Sequence, residues 1–365
     1  MIRKNFHPLE RFAQAPTGWL RASAAALALV VAQGAIAQAI DIGDEKEVVI
    51  ATRGGTNGEW FAKHVIPSFE KKYNVKVRQT IDTSVAALAK VEAQKANPQT
   101  DLISTTPQSH PLAITKGLVA KVDPARAPNL AKLLDLARDR QGYGPSYAIA
   151  TLGIMYNTKV FQEKGIPPPK SWNDLFDPRL KGRMGMNAMD NSWGMEFLVG
   201  LAKANGGDER NVETAFAKLK ALGKDLVIGK APTQIDEYMQ QQVIWVTTHG
   251  WNRYIPLKKK GAPMAWVDPV EGSIADLNYM DIVAGAPHPK LAHALLDHIL
   301  SEEVQASMAR ELGYGPVNAN VKLPPDVAAQ VPSSDAIAKA YNPDWAYINS
   351  VVEKWIDRST RELGK

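Results

Sequence analysis

The sequence predicts an α/β protein of two lobes, each built on a mostly parallel sheet flanked by helices. Three observations support this fold class. Short apolar runs alternate with segments of helical periodicity from residue 47 onward, which is typical of parallel sheets covered by helices. An apolar run over 143–157 is long for one strand and suits a strand that crosses between lobes. The segment 271–318 adds a strand and two helices after what looks like a complete lobe.

Residues 1–39 have the composition of a secretory signal peptide. A basic start precedes an Ala/Leu/Val-rich stretch over 22–32, and small residues at 35–39 fit a cleavage site. A membrane anchor is the alternative, but a spanning helix needs about 20 apolar residues. The segment carries four Lys and Arg against one Glu, so about +2 of the net charge of +5 belongs to the rest of the chain. That balance does not favour nucleic-acid binding.

The chain contains no cysteine. Disulfides, thiolate catalysis, cysteine-ligated zinc and a lipid anchor on cysteine are therefore excluded. Together with the signal peptide, this composition predicts a protein released into a bacterial periplasm. We expect a monomer that has no cofactor and no bound metal.

The first lobe is predicted from strands whose carboxyl ends carry polar residues. Its strands are expected over 47–51, 75–79 and 101–103, and its helices over 56–73, 84–96 and 130–140. Arg53 and Gly55 follow the first strand, and Thr105 and Thr106 follow the third. Ligands of open α/β sheets bind at this edge, where helix N-termini also present free N–H groups. These residues are therefore candidate ligand contacts, with a plain tight turn as the alternative at Gly55.

Two caps are predicted at the same edge. Thr56 and Glu59 have the spacing of a capping box for the first helix. Thr106 can cap the helix that follows the third strand, because Pro107 suits a first helical position.

The second lobe repeats the alternation. Its strands are expected over 183–186, 243–246 and 263–266. After this lobe the chain continues with a further strand over 280–284, helices over 289–299 and 301–312, and a final helix over 345–361. Polar and aromatic residues again follow the strands. Asp190, Ser192 and Trp193 come after the first of them, and His249 and Trp251 after the second. These five are candidate ligand contacts as well.

Three segments resemble one known family. The GIMYNTK segment at 153–159, the WNDLFDP segment at 172–178 and the stretch 271–318 are similar to periplasmic solute-binding proteins of ABC importers, in the extracellular solute-binding family 1. The resemblance covers about 48–323. Its nearest branch is that of the spermidine/putrescine-binding proteins, with ferric-iron-, thiamine- and aminoethylphosphonate-binding proteins as relatives.

The resemblance implies a type II periplasmic binding protein with the ligand in a cleft between the lobes. By analogy, lobe 1 comprises 40–149 plus 281–318, after a signal peptide at 1–39. Lobe 2 comprises 150–280 plus 319–365, including the C-terminal helix. Binding would close the two lobes by a hinge motion.

The resemblance also assigns candidate roles. Polyamine binders have an aromatic residue and an aspartate where this chain has Tyr279 and Asp281, and another acid at Asp190. Trp193 stands where such proteins place a second acid, which weakens the match to a polyamine. Arg53 suits a carboxylate or phosphonate better than a polycation.

Two further patterns have competing interpretations. Trp193, Trp251 and Tyr279 would form an aromatic box for a cationic or planar solute, with core packing as the alternative. Three histidines recur every five residues over 288–298. Neighbours at that spacing lie about 140° apart around a helix, so they do not predict a shared metal.

The predicted function is that of a periplasmic binding component of an ABC transporter. It would capture a small polar organic solute and deliver it to a membrane permease and its ATPase. A polyamine-like amine is favoured, with thiamine, aminoethylphosphonate, an organic acid or ferric iron as alternatives. The tandem tyrosines of ferric-iron binders are absent. We predict no enzyme, because neither a Ser/His/Asp nor a paired-Glu constellation stands out; a periplasmic hydrolase is the alternative class.

Overall fold

The computed structural model describes residues 40–363, and the predicted signal peptide lies outside them. Within this part of the chain a nine-stranded mixed sheet has the strand order β2-β1-β3-β9-β4-β7-β5-β6, with β8 paired to β4. The strands are β1 (Glu47–Thr52), β2 (Lys76–Ile81), β3 (Leu102–Thr105), β4 (Ser146–Asn157), β5 (Met184–Asn187), β6 (Leu226–Gly229), β7 (Val246–Gly250), β8 (Met264–Val267) and β9 (Ile274–Ile282).

Helices cover the sheet and close its ends. They are α1 (Thr56–Trp60), α2 (Ile66–Tyr73), α3 (Ser84–Ala93), α4 (Ser109–Thr115), α5 (Thr158–Glu163), α6 (Ser192–Lys203), α7 (Glu213–Leu222), α8 (Pro232–Gln240), α9 (Trp251–Lys259), α10 (Pro289–Ile299), α11 (Glu302–Leu312), α12 (Pro325–Ala328), α13 (Ser334–Lys339) and α14 (Trp345–Leu363). Short 3-10 turns occur at Pro128–Lys132, Asp135–Ala137, Trp172–Phe176, Pro178–Leu180 and Gly223–Asp225. A π-helical turn, Phe61–Val65, joins α1 to α2. Each helix of the described part is too short or too polar to cross a bilayer.

Strands β4 and β9 join the two halves of the sheet. They pair antiparallel from Ser146 opposite Tyr279 to Leu152 opposite Ile274. On one side lie β1, β2 and β3 in parallel, and on the other β5, β6 and β7 in parallel. Every residue of β4 is buried, which explains why the apolar run in the sequence is so long.

Each half of the sheet packs its own hydrophobic core. The first core includes Phe61, Phe69 and Leu295. It also contains residues 147–150 of β4 and the apolar residues of β9 from Ala275 to Ile282. The second core includes Trp172 and Phe197 and receives the apolar face of α14. Within the stretch 271–318, β9 therefore runs from the second half of the sheet into the first, and α10 and α11 pack into the first core. This agrees with the expectation that the stretch returns the chain to the first half.

The C-terminal helix also touches the first half. Its residues Trp345, Ile348 and Trp355 belong to the second core. On its other side, the Asn349 side-chain amide donates a hydrogen bond to the Gln108 carbonyl at 2.7 Å, at the start of α4.

The prediction of a helix over 130–140 is wrong. The segment forms two 3-10 turns instead, Pro128–Lys132 and Asp135–Ala137. Its backbone is diverted to a tertiary partner, because Leu133 bridges to Asn318 and the Leu134 amide donates to the Val317 carbonyl. Helical spacing of leucines could not reveal that partner.

Two strands are displaced from their expected positions, and one was missed. β7 spans Val246–Gly250 rather than 243–246, because its polar residues pair with β4 inside the sheet. β9 spans Ile274–Ile282 rather than 280–284. β6 was not predicted, because its short run Leu226–Gly229 lacks a clear alternation.

The predicted capping box at Thr56 and Glu59 is also wrong. The first helix begins at Thr56, and its N-cap is Gly55, with φ of 66°. A glycine is favoured there because other residues rarely adopt positive φ. At α11, Ser301 occupies the N-cap position, but its hydroxyl donates to the His298 carbonyl instead of capping the helix. Gly313, with φ of 70°, forms the left-handed end of that helix.

Candidate functional site

A buried carboxyl on β9 lies at the centre of the candidate site. Asp276 accepts a hydrogen bond from the Trp193 indole N–H at 3.1 Å. Burial raises the pKa of Asp276, while nearby Arg53 and the Trp193 hydrogen bond oppose the rise. A Cβ at Gly250 would lie 2.5 Å from Cζ2 of the Trp193 ring, so glycine at that position makes room for the indole.

Arg53 presents a guanidinium to the same place. It follows β1, and its Nε is buried without a hydrogen-bond partner among the residues that the structure describes. Burial opposes its charge, but Tyr147, Tyr314 and Asp276 outweigh that effect, so the guanidinium pKa is raised. The site therefore holds a permanent positive charge beside a carboxyl.

Two tyrosines connect this pair to both halves of the sheet. The Tyr147 hydroxyl accepts from the Asn57 amide at 3.3 Å and lies 3.1 Å from the Ser104 hydroxyl, on the first half. The Tyr314 hydroxyl accepts from the Asn252 amide at 3.0 Å, which brings in α9 of the second half. Side chains from both halves thus meet around Arg53 and Asp276.

Several buried polar atoms of this region have no partner within residues 40–363. They include both amide atoms of Asn278, both carboxyl oxygens of Glu196, Nδ1 of His249 and Oδ1 of Asn252. Buried polar groups are normally hydrogen-bonded, and leaving one unpaired costs about 1–3 kcal/mol. Their concentration here marks a surface that a polar solute would satisfy.

His249 is held in one orientation at the edge of this surface. Its Nε2 lies 2.8 Å from Asp236 Oδ1, and Arg253 contacts the other carboxyl oxygen. The imidazole meets the Trp193 ring edge to face, with centroids 5.1 Å apart. Burial lowers the pKa of His249. A neutral ring that donates from Nε2 presents Nδ1 as an acceptor.

A second polar cluster surrounds Asp281. Its carboxylate accepts from the Thr105 hydroxyl at 2.5 Å and lies 2.9 Å from His110 Nδ1. The other ring nitrogen of His110 lies 3.5 Å from Asp139, and the Tyr279 ring stacks on the imidazole at 4.0 Å. Asp281 is thus already paired with the His110 imidazolium, and the Tyr279 ring covers that imidazole.

This cluster makes a pH-dependent contribution to stability. Burial opposes the charge of His110, but Asp281 and Asp139 outweigh it and raise its pKa from 6.5 to about 9. A raised native pKa adds stability that is complete below the unfolded pKa and is lost as pH rises through the native one.

We therefore expect the free energy of unfolding to fall by about 3 kcal/mol between roughly pH 6 and pH 10. Urea unfolding across that range measures it. The variant His110→Gln should lack this part of the slope. An equal slope in the variant would show that the imidazolium does not stabilise the fold.

The other candidates have diverse surroundings. Gly55 lies exposed in the turn before α1, and Asp190 is exposed before α6. Ser192 begins α6 and is partly buried. Thr106 exchanges hydrogen bonds with Ser109 at the start of α4. In the part of the chain that the structure describes, none of these four residues hydrogen-bonds to the Asp276 side chain, which pairs with Trp193.

The three rings expected to form an aromatic box have different partners. Trp193 binds Asp276, and Tyr279 stacks on His110. The Trp251 indole donates to the Gln330 carbonyl at 2.9 Å, and its ring packs against Trp266 and Tyr254. The structure thus brings together Arg53, Trp193 and His249, and separately Thr105, Tyr279 and Asp281.

Sequence reasoning missed several residues of the site. They are Asn57, Ser104, Tyr147, Glu196, Asp276, Asn278 and Tyr314. A signal was present for two of them, because Asp276 and Asn278 are polar residues two apart in an otherwise apolar strand. Such spacing places both side chains on one face.

The family model of the bacterial extracellular solute-binding proteins matches residues 65–333. The chain belongs to this family. A spermidine/putrescine-binding periplasmic protein of Haemophilus influenzae is 22% identical over 78% of this chain and 81% of its own. A putrescine/cadaverine-binding protein of Pseudomonas aeruginosa is 26% identical over 72% and 77%. A γ-aminobutyric acid-binding protein of the same organism is 23% identical over 60% and 63%.

Solved structures show the same fold. An ABC transporter protein from Clostridium perfringens superposes with a TM-score of 0.76 at 24% identity, covering 87% of this chain and 99% of its own. An extracellular solute-binding protein from Bordetella parapertussis gives 0.77 at 22%, with 87% and 99% covered. The two-lobed type II fold and the solute-binding function are thereby confirmed. The comparisons give no support to a hydrolase.

Proposed function

We propose that this protein is the periplasmic binding component of an ABC importer, and that its solute is a small amine which also carries an acidic group. One observation carries the choice of solute: Arg53 and Asp276 lie together in a buried site. A guanidinium recognises a carboxylate or phosphonate, and a buried carboxylate recognises an ammonium. An ω-amino acid places one such group at each end.

The aromatic residue beside this pair supports the same solute class. The Trp193 indole is fixed on Asp276, so its ring can cover the alkyl chain next to a bound ammonium. A diamine would bring a second ammonium toward Arg53, where two positive charges would repel each other. The relative that binds γ-aminobutyric acid has a solute of the favoured kind.

A diamine is the second candidate. Glu196 supplies a second buried carboxyl beside Asp276. Relatives named for putrescine, cadaverine and spermidine support this alternative. Three other solutes have weaker support. Thiamine and ferric iron are cations that offer Arg53 no acidic group, and a simple organic acid offers Asp276 and Glu196 no ammonium.

We infer the lobe boundaries that the resemblance implies: 40–149 plus 281–318, and 150–280 plus 319–365. The two hydrophobic cores support a division near these positions: their members change over between Ala150 and Leu152, and between Ile274 and Ala275, which is six residues before the inferred boundary in β9. Arg53 lies in one inferred lobe and Trp193 in the other, so hinge closure about β4 and β9 would hold a solute between them. Periplasmic location, the cleaved signal and a monomeric state are parts of the same proposal.

We infer that the solute contacts Arg53, Trp193 and Asp276 directly, with His249 Nδ1 accepting a hydrogen bond. The roles first assigned by sequence to the other candidates stay predictions. Those are Gly55, Thr105, Thr106, Asp190, Ser192, Trp251, Tyr279 and Asp281.

A thermal-shift screen of the purified protein tests the proposal. Candidates are γ-aminobutyrate, putrescine, spermidine, thiamine, aminoethylphosphonate and small organic acids. A ligand at 100 times its Kd stabilises the fold by about 2.7 kcal/mol, which is a readily measured rise in Tm. Small-angle scattering should show compaction with the same ligand. The absence of both effects with every amine would contradict the proposal.

A further inference from the structure

Glu196 is a buried acid that the proposed recognition of an amino acid does not use. It lies on α6, one turn after Trp193, and its side chain is fully enclosed. Neither carboxyl oxygen receives a hydrogen bond from the residues that the structure describes. An ionised carboxylate cannot persist in such surroundings without a partner. Burial and the neighbouring charge of Asp276 raise the pKa of Glu196 well above its ordinary value.

The surroundings of Glu196 contain few other charges. Helix α6 packs against α7, the Trp172–Phe176 turn and strands β4, β5, β7 and β9. The titratable residues of those elements are Tyr147, Tyr156, Asp174, Glu213, Lys218, Lys220, His249, Asp276, Tyr279 and Asp281.

Most of these groups face away from Glu196. Those of α7 and Asp174 lie toward the surface, and Tyr279 and Asp281 lie on the opposite face of β9 from Asp276. His249 reaches α6 through the Trp193 ring and is held by Asp236. Asp276 remains as the charged neighbour, with Arg53 as its own counter-ion.

A second observation marks this surface as one that meets a ligand. Asn278 is almost fully buried, and both of its amide atoms lack partners within residues 40–363. Asn278 and Asp276 pair with Ala148 and Ala150 of β4, which places their side chains on one face of the sheet. An unpaired amide thus lies on the same face of β9 as Asp276, two residues along the strand.

The charges of the site then distinguish solutes. The ligand-free site is balanced by one guanidinium and one carboxylate. A zwitterionic amino acid adds one charge of each sign, so the balance holds with Glu196 neutral. A diamine adds two positive charges, and ionisation of Glu196 halves that excess by placing a second carboxylate in the site.

We propose that Glu196 is a neutral carboxylic acid in the ligand-free site and ionises when a dicationic amine binds. This rests on the proposed function, because it concerns the solute site itself. The O–H bond of the acid breaks, its electron pair stays on the carboxylate, and the proton passes to the buffer. Glu196 therefore sets the pH above which the site accepts a diamine.

Calorimetric titration of the full mature chain tests this. Putrescine binding should release about one proton, measured from the dependence of the binding heat on the ionisation heat of the buffer. The Kd of putrescine should fall about tenfold for each unit by which the pH rises, across the pH range in which binding releases that proton. γ-Aminobutyrate should bind without release and with a flat pH profile. Proton-independent binding of putrescine would overturn the proposal.

Two variants locate the proton. Glu196→Gln keeps the shape of the neutral acid, so putrescine should lose both its proton release and its pH dependence. Asp297→Asn is the matched control, because Asp297 is another buried carboxyl with a raised pKa but is held on α10 by Asn129. It should keep the release. Release that persists in Glu196→Gln would assign the proton elsewhere and refute the proposal.

Ligand-free stability gives a separate answer. A carboxyl with a raised native pKa adds stability at low pH that is lost as pH rises above the unfolded value. The free energy of unfolding of the ligand-free wild type should therefore fall as the pH rises above the pKa of Glu196 in the unfolded chain. That of Glu196→Gln should fall less. Equal slopes would overturn the proposal even if no amine binds. If γ-aminobutyrate binds and putrescine fails at every pH, the function stands and this inference falls.

Discussion

Replacing Asp276 with asparagine is expected to weaken amine binding strongly. The substitution keeps the shape of the side chain and its contact with the Trp193 indole but removes the charge that an ammonium requires. Truncating one partner of a buried charge pair costs about 2–5 kcal/mol, so the Kd should rise by at least about 30-fold. Calorimetry with the best amine from the screen measures the change.

The control for this variant is Asp297→Asn. It changes a buried aspartate whose carboxylate accepts from the Asn129 backbone and side chain, outside the candidate site. Both variants should be checked by circular dichroism for an intact fold. Wild-type affinity in folded Asp276→Asn protein would remove the central residue of the proposed site. If Asp281→Asn alone lost binding, the original sequence-based assignment would be favoured.

Much of the fold could be predicted because its signals are local. The strand ending at Thr52, the long strand through 146–157 and the helices α10 and α11 are each marked by their own apolar residues. The expected helix at 130–140 failed because its backbone pairs with residues almost 200 positions away, around Asn318. A local pattern carries no record of such a partner.

The candidate site was harder to predict, for a geometric reason. Asp276 and Asp281 lie on the same strand, but an odd separation of five places them on opposite faces. Asp281 meets His110, whereas Asp276 meets Trp193 and Arg53. Choosing between the two requires knowing which face turns toward the second lobe. The sequence shows both aspartates, but it does not show which face of β9 turns toward the second lobe.

Arg53 is a candidate that the sequence already suggested, and it allows a prediction that separates the two solute classes. In Arg53→Gln, γ-aminobutyrate loses the partner of its carboxylate, so its Kd should rise by about 30-fold or more. Putrescine loses only a repulsive neighbour, and Asp276 no longer has a competing cation. Its Kd should fall. Calorimetry with both solutes measures the two constants.

The ratio of these two constants is the decisive quantity, because changes in folding or hinge closure affect both solutes alike and cancel. Arg358→Gln is the control, since Arg358 is a partly buried arginine of α14 that is paired with Glu213 of α7 and Glu362. It should leave the ratio unchanged. A ratio that also stays constant in Arg53→Gln would mean that the guanidinium does not contact the solute. The preference would then have to arise from the carboxyls of Asp276 and Glu196 alone.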